Sequence, residues 1–510
     1  MPRAADSEAQ VPAARWRMRC GRSFARPARH IAAALAAAAI VAGCASFDRS
    51  PPAATPVDIA ALGATAAPID WPSDEWWRRY GDPALDALVA DGLRGAPTLQ
   101  AARARIARAN AAAGVVRAAL LPSVNGNATS LYQRYSEHYV YPPPYAGSWN
   151  SDNRLTLDFT YEFDFWNKYG AALDAALSQA QAAAADAETA RLVLTTGIAR
   201  AYFNLQRLFA QREVSRAAIV QREDVVRLTA QRFEAGLDTR VEVKQAEAAL
   251  ATVRTELAQY EEAIAGTRIE IAALVGAGPQ RGDMLVANPH LAAPSTTLPA
   301  SIPVDLVGRR PEIVASRWRV DATRSDIAVA RAQFYPNINL VAFAGIASIG
   351  VTKLFTAASG VAGIGPAIRL PIFEGGRLNA NLRGREADAD LAVSAYDQAV
   401  IDAVRDVAAA LASINGLARV TVEQARARDA TTDAYNLAVI RYKAGLGNYL
   451  SVLTAQTQQL VQDRLDADLR ARRFELDVNL ARALGGGFAD AAPIPAPTHA
   501  STAPAATSAR

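Results

Sequence analysis

The chain has 510 residues, of which 51% are hydrophobic and 20% charged, and it carries a formal net charge of +4. Apolar residues are too abundant for a disordered protein. Residues 1–43 contain seven Arg and two acidic residues, so the rest of the chain has a net charge of 4 − 5 = −1. Because this larger part has no surplus of cations, the composition argues against a nucleic-acid partner.

Residues 1–43 have the features of a cleaved export signal. Basic residues precede an apolar stretch, 31–41, which has the length of a signal-peptide core and is too short to span a membrane. Met1 and Met18 are both candidate translation starts. The stretch leads into VAGC, which resembles the site at which bacterial lipoproteins are cleaved and acquire a palmitate-containing lipid anchor. We therefore predict lipid attachment at Cys44, with an ordinary free or buried cysteine as the alternative.

The residue after this cysteine bears on the destination of the protein. In bacterial lipoproteins an Asp at that position retains the protein at the inner membrane, so Ala45 implies the outer membrane. Residues 44–69 are rich in Pro, Ala and Thr and are predicted to form the lipidated N-terminus and a linker. Residues 486–510 have a similar composition and are predicted to be a disordered tail.

Two similar repeats are predicted between these segments, residues 70–276 and 302–485, joined by a linker at 277–301. At an offset of 214 residues, nine of 29 positions are identical. The first and last identical pairs are Pro97 with Pro311 and Asn125 with Asn339. A repeat near 210 residues is too long for a solenoid unit, so it indicates two copies of one large structural module.

Long helices are predicted where proline is absent. Residues 145–278 and 372–492 contain no Pro and are rich in Ala, Gln, Glu, Arg and Leu. Gly236 and Gly445 interrupt these spans at corresponding positions, and each is predicted to end a long arm before the chain reverses. An arm of about 65 residues reaches roughly 100 Å. The predicted helices are 84–118, 168–232, 240–276, 302–332, 377–441 and 448–484, with the shorter ones stacked end to end along the long arms.

Residues 154–165 alternate between apolar and polar side chains without interruption, which is typical of a strand with two unlike faces. The apolar members are Leu155, Leu157, Phe159, Tyr161, Phe163 and Phe165. About 9–11 residues span a bilayer as a tilted strand, so we predict that this face contacts lipid. A strand at the edge of a soluble sheet is the alternative. Four strands are predicted, at about 123–136, 152–166, 337–348 and 360–373.

Four strands are too few to close a transmembrane barrel. An open sheet edge in lipid leaves backbone N–H and C=O groups unpaired, at a cost of several kcal/mol each. The sequence therefore predicts an oligomer in which three chains together supply about twelve strands.

Three motifs resemble a known family. They are WWRRYGDPALDALV (Trp76–Val89), LVGRRPEIVASRWRVDATRSDIAVARAQFYPNINL (Leu306–Leu340) and RYKAGLGNYLSVLTAQ (Arg441–Gln456). They are similar to the outer-membrane efflux lipoproteins of the NodT type, the outer membrane factors of tripartite efflux pumps. The resemblance covers about residues 70–485.

The resemblance implies a mostly α fold with membrane β structure. In a homotrimer, each chain would give four transmembrane strands to a shared 12-stranded barrel and long α-helical hairpins to a periplasmic helical barrel. It further implies a multidrug-resistance channel of the cell outer membrane that exports small molecules. Its partners would be a periplasmic adaptor (membrane fusion) protein and an inner-membrane pump of the resistance-nodulation or major-facilitator type.

The family's hairpin tips form the periplasmic entrance and dock the adaptor, which implies that role for residues 232–246 and 441–455. The docking candidates are Arg232, Phe233, Gly236, Leu237, Arg441, Tyr442, Gly445, Leu446 and Val452. Some members have acidic residues at the constriction, where this chain has Ser451 and Thr454. The gate candidates are Glu242, Arg441, Tyr442, Ser451 and Thr454. The alternative is that the glycines serve only as helix caps.

Enzyme hypotheses have little support in the sequence. The four His are scattered, and no HExxH, GxSxG, Walker-loop or CxxC pattern occurs. We expect no catalytic residue, metal or cofactor. The remaining alternative is a lipid-anchored periplasmic coiled-coil adaptor or scaffold. That alternative would explain Cys44 and the hairpins, but not the duplication or the alternating strand.

Overall fold

The computed structural model describes residues 54–62, 71–289, 291 and 306–489. The predicted signal at 1–43, the predicted lipid site Cys44 and most of the predicted tail lie outside these residues. The main elements are α1 (Pro83–Gly95), α2 (Pro97–Ala118), β1 (Ser123–Arg134), β2 (Trp149–Glu162), α3 (Lys168–Glu234), α4 (Arg240–Leu274), α5 (Pro311–Ala332), β3 (Asn337–Ile349), β4 (Gly360–Arg369), α6 (Arg377–Lys443) and α7 (Tyr449–Ala483).

The long arms and their return helices are present in both halves, as predicted. Two regions differ because each contains a proline at the start of a helix. The helix predicted over 84–118 is broken between α1 and α2, and the one predicted over 302–332 is divided into Leu306–Arg309 and α5. Pro97 and Pro311 stand in the first helical turn, where the missing N–H needs no partner. The residue before a proline is driven towards an extended conformation, so the preceding helix ends there.

The strand bounds also differ from the sequence prediction. Strand β2 begins at Trp149 and ends at Glu162, so Phe163 and Phe165 lie beyond the strand, in the connection to α3. The cause is Asp164, whose carboxylate accepts hydrogen bonds from the backbone N–H groups of the first turn of α3, at 2.6 to 3.0 Å. These bonds begin α3 directly after the last bond of the ladder, in which the Phe163 N–H donates to the Ile338 carbonyl at 3.0 Å.

The two repeats are geometric copies of each other. Helix α5 follows α2 at an offset of 214 residues at both ends (311 − 97 and 332 − 118). The helical hairpins are related by an offset of 209 residues (377 − 168 and 443 − 234 for the long arms). The difference between the two offsets arises between the strands, where the β3–β4 connection is shorter than the β1–β2 connection.

The helices form a layer in which long and stacked short helices alternate. Helix α3 packs against α2 and α4 on one flank and against α5 and α7 on the other, and α6 packs against α5 and α7. The end of α4 meets the start of α2, since a Cβ on Gly276 would lie 2.7 Å from the carbonyl oxygen of Gly95. The same junction recurs between α7 and α5, where a Cβ on Gly485 would lie 1.8 Å from the carbonyl oxygen of Arg309. Only glycine fits these two end-to-end junctions.

The largest core lies midway along the helical layer. It joins the short helical turn Trp76–Tyr80 to α1, α3, α4 and α7. The rings of Tyr80, Phe203 and Phe474 are in contact, with Phe203 and Phe474 stacked at 4.8 Å between centroids. The hydroxyl of Tyr80 donates to Asp477 at 2.6 Å, which satisfies the buried polar groups of this aromatic cluster. This core holds the two repeats together.

The strands form one antiparallel sheet in the order β1-β2-β3-β4, so β1 and β4 are its edges. The pairing places Leu155 beside Ile346 and Ala128, and Phe159 beside Ala342 and Val124. These residues share one face, which we call the apolar face; the opposite face carries Asn127, Arg154, Thr156, Asp158 and Thr160. Among the residues that the structure describes, no helix is both long and apolar enough to span a membrane.

Candidate functional site

The first candidate site is the pair of hairpin tips, where α3 turns into α4 and α6 turns into α7. Both turns have the same backbone. Gly236 has φ 71° and Gly445 has φ 77°, in the left-handed region that glycine tolerates. The N–H of Leu237 donates to the carbonyl of Arg232 at 2.8 Å, and that of Leu446 donates to Arg441 at 2.9 Å. This is the Schellman motif, so the predicted glycine caps are confirmed.

The return helices begin with side-chain caps that involve two of the gate candidates. Glu242 and Thr239 form a capping box, in which the Glu242 carboxylate accepts from the Thr239 N–H at 2.9 Å. The hydrogen bond from the Thr239 hydroxyl lowers the pKa of the Glu242 carboxyl. In the second tip, Asn448 accepts from the Ser451 N–H at 3.0 Å and from its hydroxyl at 2.8 Å. Glu242 and Ser451 are therefore engaged in starting their helices, whereas the Thr454 side chain is exposed.

The two tips are joined by a cluster of three side chains, Arg232, Asp238 and Tyr442, which we call the tip latch. The Arg232 Nε lies 3.0 Å from the Asp238 carboxylate, and its Nη1 donates to the Tyr442 carbonyl at 3.1 Å. The same guanidinium lies 4.5 Å from the centre of the Tyr442 ring. The Tyr442 hydroxyl donates to Asp238.

The tip latch is protected from water. Tyr442 is 0% exposed, and the side chains of Arg232 and Asp238 retain 14% and 10% of their exposure. Burial and the neighbouring Asp238 raise the pKa of Tyr442 above its usual range, so its hydroxyl keeps the proton that it donates. Hydrogen bonds to charged groups in such a setting contribute about 1.5–3 kcal/mol each. The latch therefore holds the first tip firmly to the second within one chain.

The residues that correspond to the tip latch at the repeat offset cannot form a second latch. At an offset of 209 residues, Arg232 corresponds to Arg441, Asp238 to Gly447 and Phe233 to Tyr442. Arg441 is exposed, and its guanidinium donates to the Leu446 carbonyl at 3.4 Å. The second copy thus retains the arginine but lacks the carboxylate, and the first copy lacks the tyrosine hydroxyl.

The predicted docking residues fall into two groups. Tyr442 and Val452 are buried, and they belong to a small core beneath the tips with Val225, Ala246 and Tyr449. The apolar residues at the extreme of the tips are instead exposed: Phe233 by 45%, Leu237 by 64% and Leu446 by 71%. Gly236, Gly445 and Arg441 lie on this same exposed end. The Tyr442 and Val452 side chains therefore pack beneath the tips, and their docking role stays a prediction.

Asp238 is the member of the tip latch that the sequence prediction missed. Its position lies in the turn between Gly236 and the cap Thr239, a place where Asp is common for reasons of turn chemistry. The signal that could have revealed it is the comparison of the two tips, because the corresponding Gly447 shows that no turn geometry requires a carboxylate there.

The second candidate site is the apolar face of the sheet. Leu155 and Leu157 are 44% and 61% exposed on this face, as are Val124 and Ile364, by 63% and 77%. Stacked aromatic pairs lie near the two ends of the strands: Tyr132 with Trp149 at 5.6 Å and Trp166 with Tyr335 at 4.6 Å. Apolar strands between two aromatic belts are typical of sheets that span a bilayer.

The described residues offer little to a catalytic or metal hypothesis. No group of three or more His, Cys, Asp or Glu side chains among them is placed to hold a metal ion. The sites that the structure assembles are instead surfaces: the tips, the apolar face and the two open edges of the sheet.

Comparisons with known proteins identify the family. The family model described as "Outer membrane efflux protein" matches residues 88–277 and 302–486, one match for each repeat. The fusaric acid resistance protein FusA of Burkholderia cepacia is 38% identical over 367 residues, covering 70% of this chain and 69% of that protein. The multidrug resistance outer membrane protein MdtP of Escherichia coli K12 is 30% identical over 436 residues, covering 82% and 87%.

The solved structures give the same result for the fold. The outer membrane protein VceC of Vibrio cholerae matches with a TM-score of 0.78 at 38% identity, covering 82% of this chain and 100% of that chain. The predicted fold class and location in the outer membrane are thereby confirmed. The chain belongs to the outer membrane efflux protein family, and it is an outer-membrane channel of an efflux system.

Proposed function

We propose that three copies of this chain form one export duct for small molecules, with a shared 12-stranded barrel and a shared helical tunnel. The observation that carries the proposal is the four-stranded sheet with two open edges and one apolar face. In lipid, the edge groups of β1 and β4 must find partners. Further copies of the same sheet supply those partners and keep the apolar face continuous.

The helical layer supports the same assembly. Helix α6 forms one flank of the layer and α2 with α4 the other. Both flanks expose apolar side chains, such as Leu391 (69%) and Leu437 (61%) on α6 and Val115 (74%) on α2. Within the chain α3 occupies the groove between stacked short helices on both sides. The geometric copy of α3, which is α6, finds its second neighbour in α2 and α4 of the next subunit.

The full-length protein, purified from outer membranes, is expected to migrate as a trimer in mild detergent and to form conducting channels in planar bilayers. Each chain contributes too few strands to conduct alone. The measurements are the native mass and single-channel recordings. A monomer that never conducts would refute the duct and would favour the lipid-anchored scaffold.

We assign the entrance of this duct to the hairpin tips, with the tip latch holding them together. Closure requires the tips to converge, and the latch joins the two tips of one subunit by charged, water-protected contacts. By the 209-residue offset, Arg441 would lie beside Gly447 of its own subunit and Phe233 of the partner subunit, and neither offers a carboxylate or a hydroxyl. Opening therefore separates subunits at this weaker junction first and breaks the latch second.

Replacing Asp238 by Asn and Tyr442 by Phe should raise the open fraction of the channel. The loss of hydrogen bonds worth about 1.5–3 kcal/mol each corresponds to an increase of roughly tenfold or more in the ratio of open to closed channels. Single-channel recordings in planar bilayers measure this ratio, and Thr457→Ala is the matched control because its side chain is exposed and lies outside both the latch and the gate candidates.

The converse pair, Phe233→Tyr with Gly447→Asp, would build a second latch around Arg441 between subunits and should lower conductance. Gly447 has room for a side chain, because its nearest neighbour would lie 3.5 Å from a new Cβ. Unchanged conductance in both double variants would show that the latch does not control the entrance.

The exposed tip residues are our proposed docking surface for a periplasmic adaptor. Channels of this family work with an adaptor and an inner-membrane pump in tripartite systems. We propose the same arrangement here, with a pump of the resistance-nodulation or major-facilitator type. Apolar side chains at the far end of a long helical hairpin, such as Leu237 and Leu446, are otherwise unfavourable in water.

Leu237→Asp with Leu446→Asp should abolish co-purification of the cognate adaptor, since the charges would have to be buried in the contact. Conductance without the adaptor should stay unchanged. Met284→Asp is the control, because Met284 is 65% exposed but lies far from the tips, beyond the end of α4. Normal adaptor recovery with the tip variant would place the docking surface elsewhere.

Lipid attachment at Cys44 is part of the same proposal. The N–H groups of Ala54 and Val57 donate to Asp390 and Asp397 of α6, at 3.0 and 2.8 Å. Asp390 lies 390 − 377 = 13 residues from the start of α6, about 20 Å from the end next to the sheet. The ten residues of chain between Ala54 and Cys44 reach at most about 35 Å when fully extended. A lipid on Cys44 is thus within reach of the bilayer.

Cys44→Ser should abolish labelling with a radioactive or clickable palmitate analogue. Insertion of the strands should persist in part, because their apolar face is unchanged. The readouts are lipid labelling and the outer-membrane fraction of the variant. Labelling at the level of the unmodified chain would disprove the anchor.

A further inference from the structure

We propose that β4 of one subunit pairs with β1 of the next in a single register. In this register the sequence numbers of the two residues in each pair add up to 496. Ile364 then lies opposite Tyr132 of the partner subunit, and Ala367 lies opposite Thr129 of the partner subunit. This inference rests on the trimer proposed above and specifies the contact that closes its barrel.

The register follows from the internal duplication. Within the chain, Ser123 pairs with Thr160 and the corresponding Asn337 pairs with Arg369. Strand β1 is therefore carried onto β3 by 337 − 123 = 214, and β2 is carried onto β4 by 369 − 160 = 209. These are the same two offsets that relate the helices of the two repeats.

The junction between β2 and β3 is the template for the junction between subunits. In that junction Leu155 pairs with Ile346. At the junction between subunits, β4 takes the place of β2. Strand β1 of the next copy takes the place of β3. Applying the offsets (155 + 209 = 364 and 346 − 214 = 132) places Ile364 opposite Tyr132 of the partner subunit.

The hydrogen-bonding directions of the two edges agree with this register. The N–H of Phe163 donates to Ile338 at 3.0 Å, and that of Tyr135 donates to Ser148 at 3.0 Å. Because bonding directions alternate along a strand, the even-numbered residues of both β1 and β4 point their backbone groups at the open edges. A sum of 496 pairs even with even residues, and any shift by one residue would oppose groups that cannot bond.

Pro366 is consistent with the same alternation. As an even-numbered residue of β4, it turns its nitrogen to the open edge, so the ladder between β3 and β4 loses no hydrogen bond. At the subunit junction it lies opposite Ser130 of the partner subunit, where one hydrogen bond is absent.

A glycine decides between this register and those shifted by two residues. In the template junction Thr156 pairs with Gly345, and a Cβ on Gly345 would lie 2.1 Å from the Leu155 carbonyl oxygen. Gly345 has no room for a side chain at this pair. At the subunit junction the corresponding pair is Gly365 with Leu131 of the partner subunit, so the glycine has moved to the opposite strand.

Gly363 does not give the same support to the register in which the sequence numbers of paired residues add up to 494. That register would place Gly363 opposite Leu131 of the partner subunit, but Gly363 is already explained within one chain. A Cβ on Gly363 would lie 2.6 Å from the ring of Phe343, whereas a Cβ on Gly365 would meet nothing within 4 Å. Gly365 thus has no partner in its own subunit that requires glycine.

The side chains across the junction are also compatible. Ile364 and Ile368, exposed by 77% and 68%, join Tyr132 and Ala128 of the partner subunit on the apolar face. On the opposite face, Arg369 comes to lie across from Asn127 of the partner subunit, whose amide in turn binds Asp158. The two faces therefore stay apolar and polar across the junction.

Disulfide cross-linking of the full-length protein tests the register. Thr129→Cys with Ala367→Cys, whose numbers add to 496, should give covalent trimers on oxidation. Two further pairs are displaced from this register by two residues, one in each direction: Thr129→Cys with Gly365→Cys, and Leu131→Cys with Ala367→Cys. Both should cross-link about tenfold less, because a disulfide tolerates only a narrow range of Cα separations. Each single-cysteine variant controls for folding and trimer formation.

The outcomes separate the register from the trimer. Preferential cross-linking of the pair that adds to 496 supports the register. Stronger cross-linking of a displaced pair, or no cross-linking of any pair in an intact trimer, overturns the register and leaves the trimer standing. Absence of any trimer, in the variants and in the unmodified chain alike, overturns the proposed function itself.

Discussion

Unpaired backbone groups at the two edges of the sheet are the constraint on which the rest of this structure depends. A peptide N–H or C=O in hydrocarbon has no water to bond, so an open edge costs several kcal/mol for each group. The sheet of this chain is long enough to span a bilayer and has an apolar face, yet it ends at β1 and β4. In the proposed trimer the chain is therefore a third of a closed barrel, and each of its flanks would fit the opposite flank of a copy.

Duplication makes that fit possible. Within the chain, the junction between the first and second modules already shows how β2 meets β3 and how α3 meets α5 and α7. A closed ring requires the second module to meet the next first module in nearly the same way. In the proposed trimer the relation inside one subunit would thus be repeated between subunits, and departures from it, such as the exchange of glycine between Gly345 and Gly365, would mark places where the two junctions have diverged.

Much of this architecture is visible in the sequence because it depends on local rules. Proline-free, alanine-rich spans predict the long arms, and Gly236 and Gly445 predict their ends, since a left-handed residue is needed wherever a helix reverses in this way. The strict alternation of apolar and polar side chains over 154–165 predicts β2. The resemblance to efflux channels then assigns the fold class as a whole.

What the sequence could not predict depends on contacts between distant residues or on capping. Phe163 and Phe165 continue the alternation of β2, but Asp164 binds the first turn of α3 and ends the strand. Val452 has the apolar character of a contact residue but is buried beneath the tips. Asp238 lies more than 200 positions from Tyr442 in the chain, so only the folded arrangement shows that they are bonded.

The divergence of the two tips has a mechanical consequence. If both modules had kept arginine, aspartate and tyrosine, six equal latches would close the ring, and no junction would yield before another. In this chain the aspartate of the latch is present only in the first tip and the tyrosine only in the second, so the proposed trimer would have strong contacts within a subunit and weak ones between subunits. In the proposed opening, a force applied at the tips by a docked partner acts first on the junctions between subunits, where exposed Arg441 and Phe233 lie, and second on the latch of each subunit. The proposed entrance would thus widen in two steps, the first between subunits and the second within each subunit, while the cores beneath the tips stay intact.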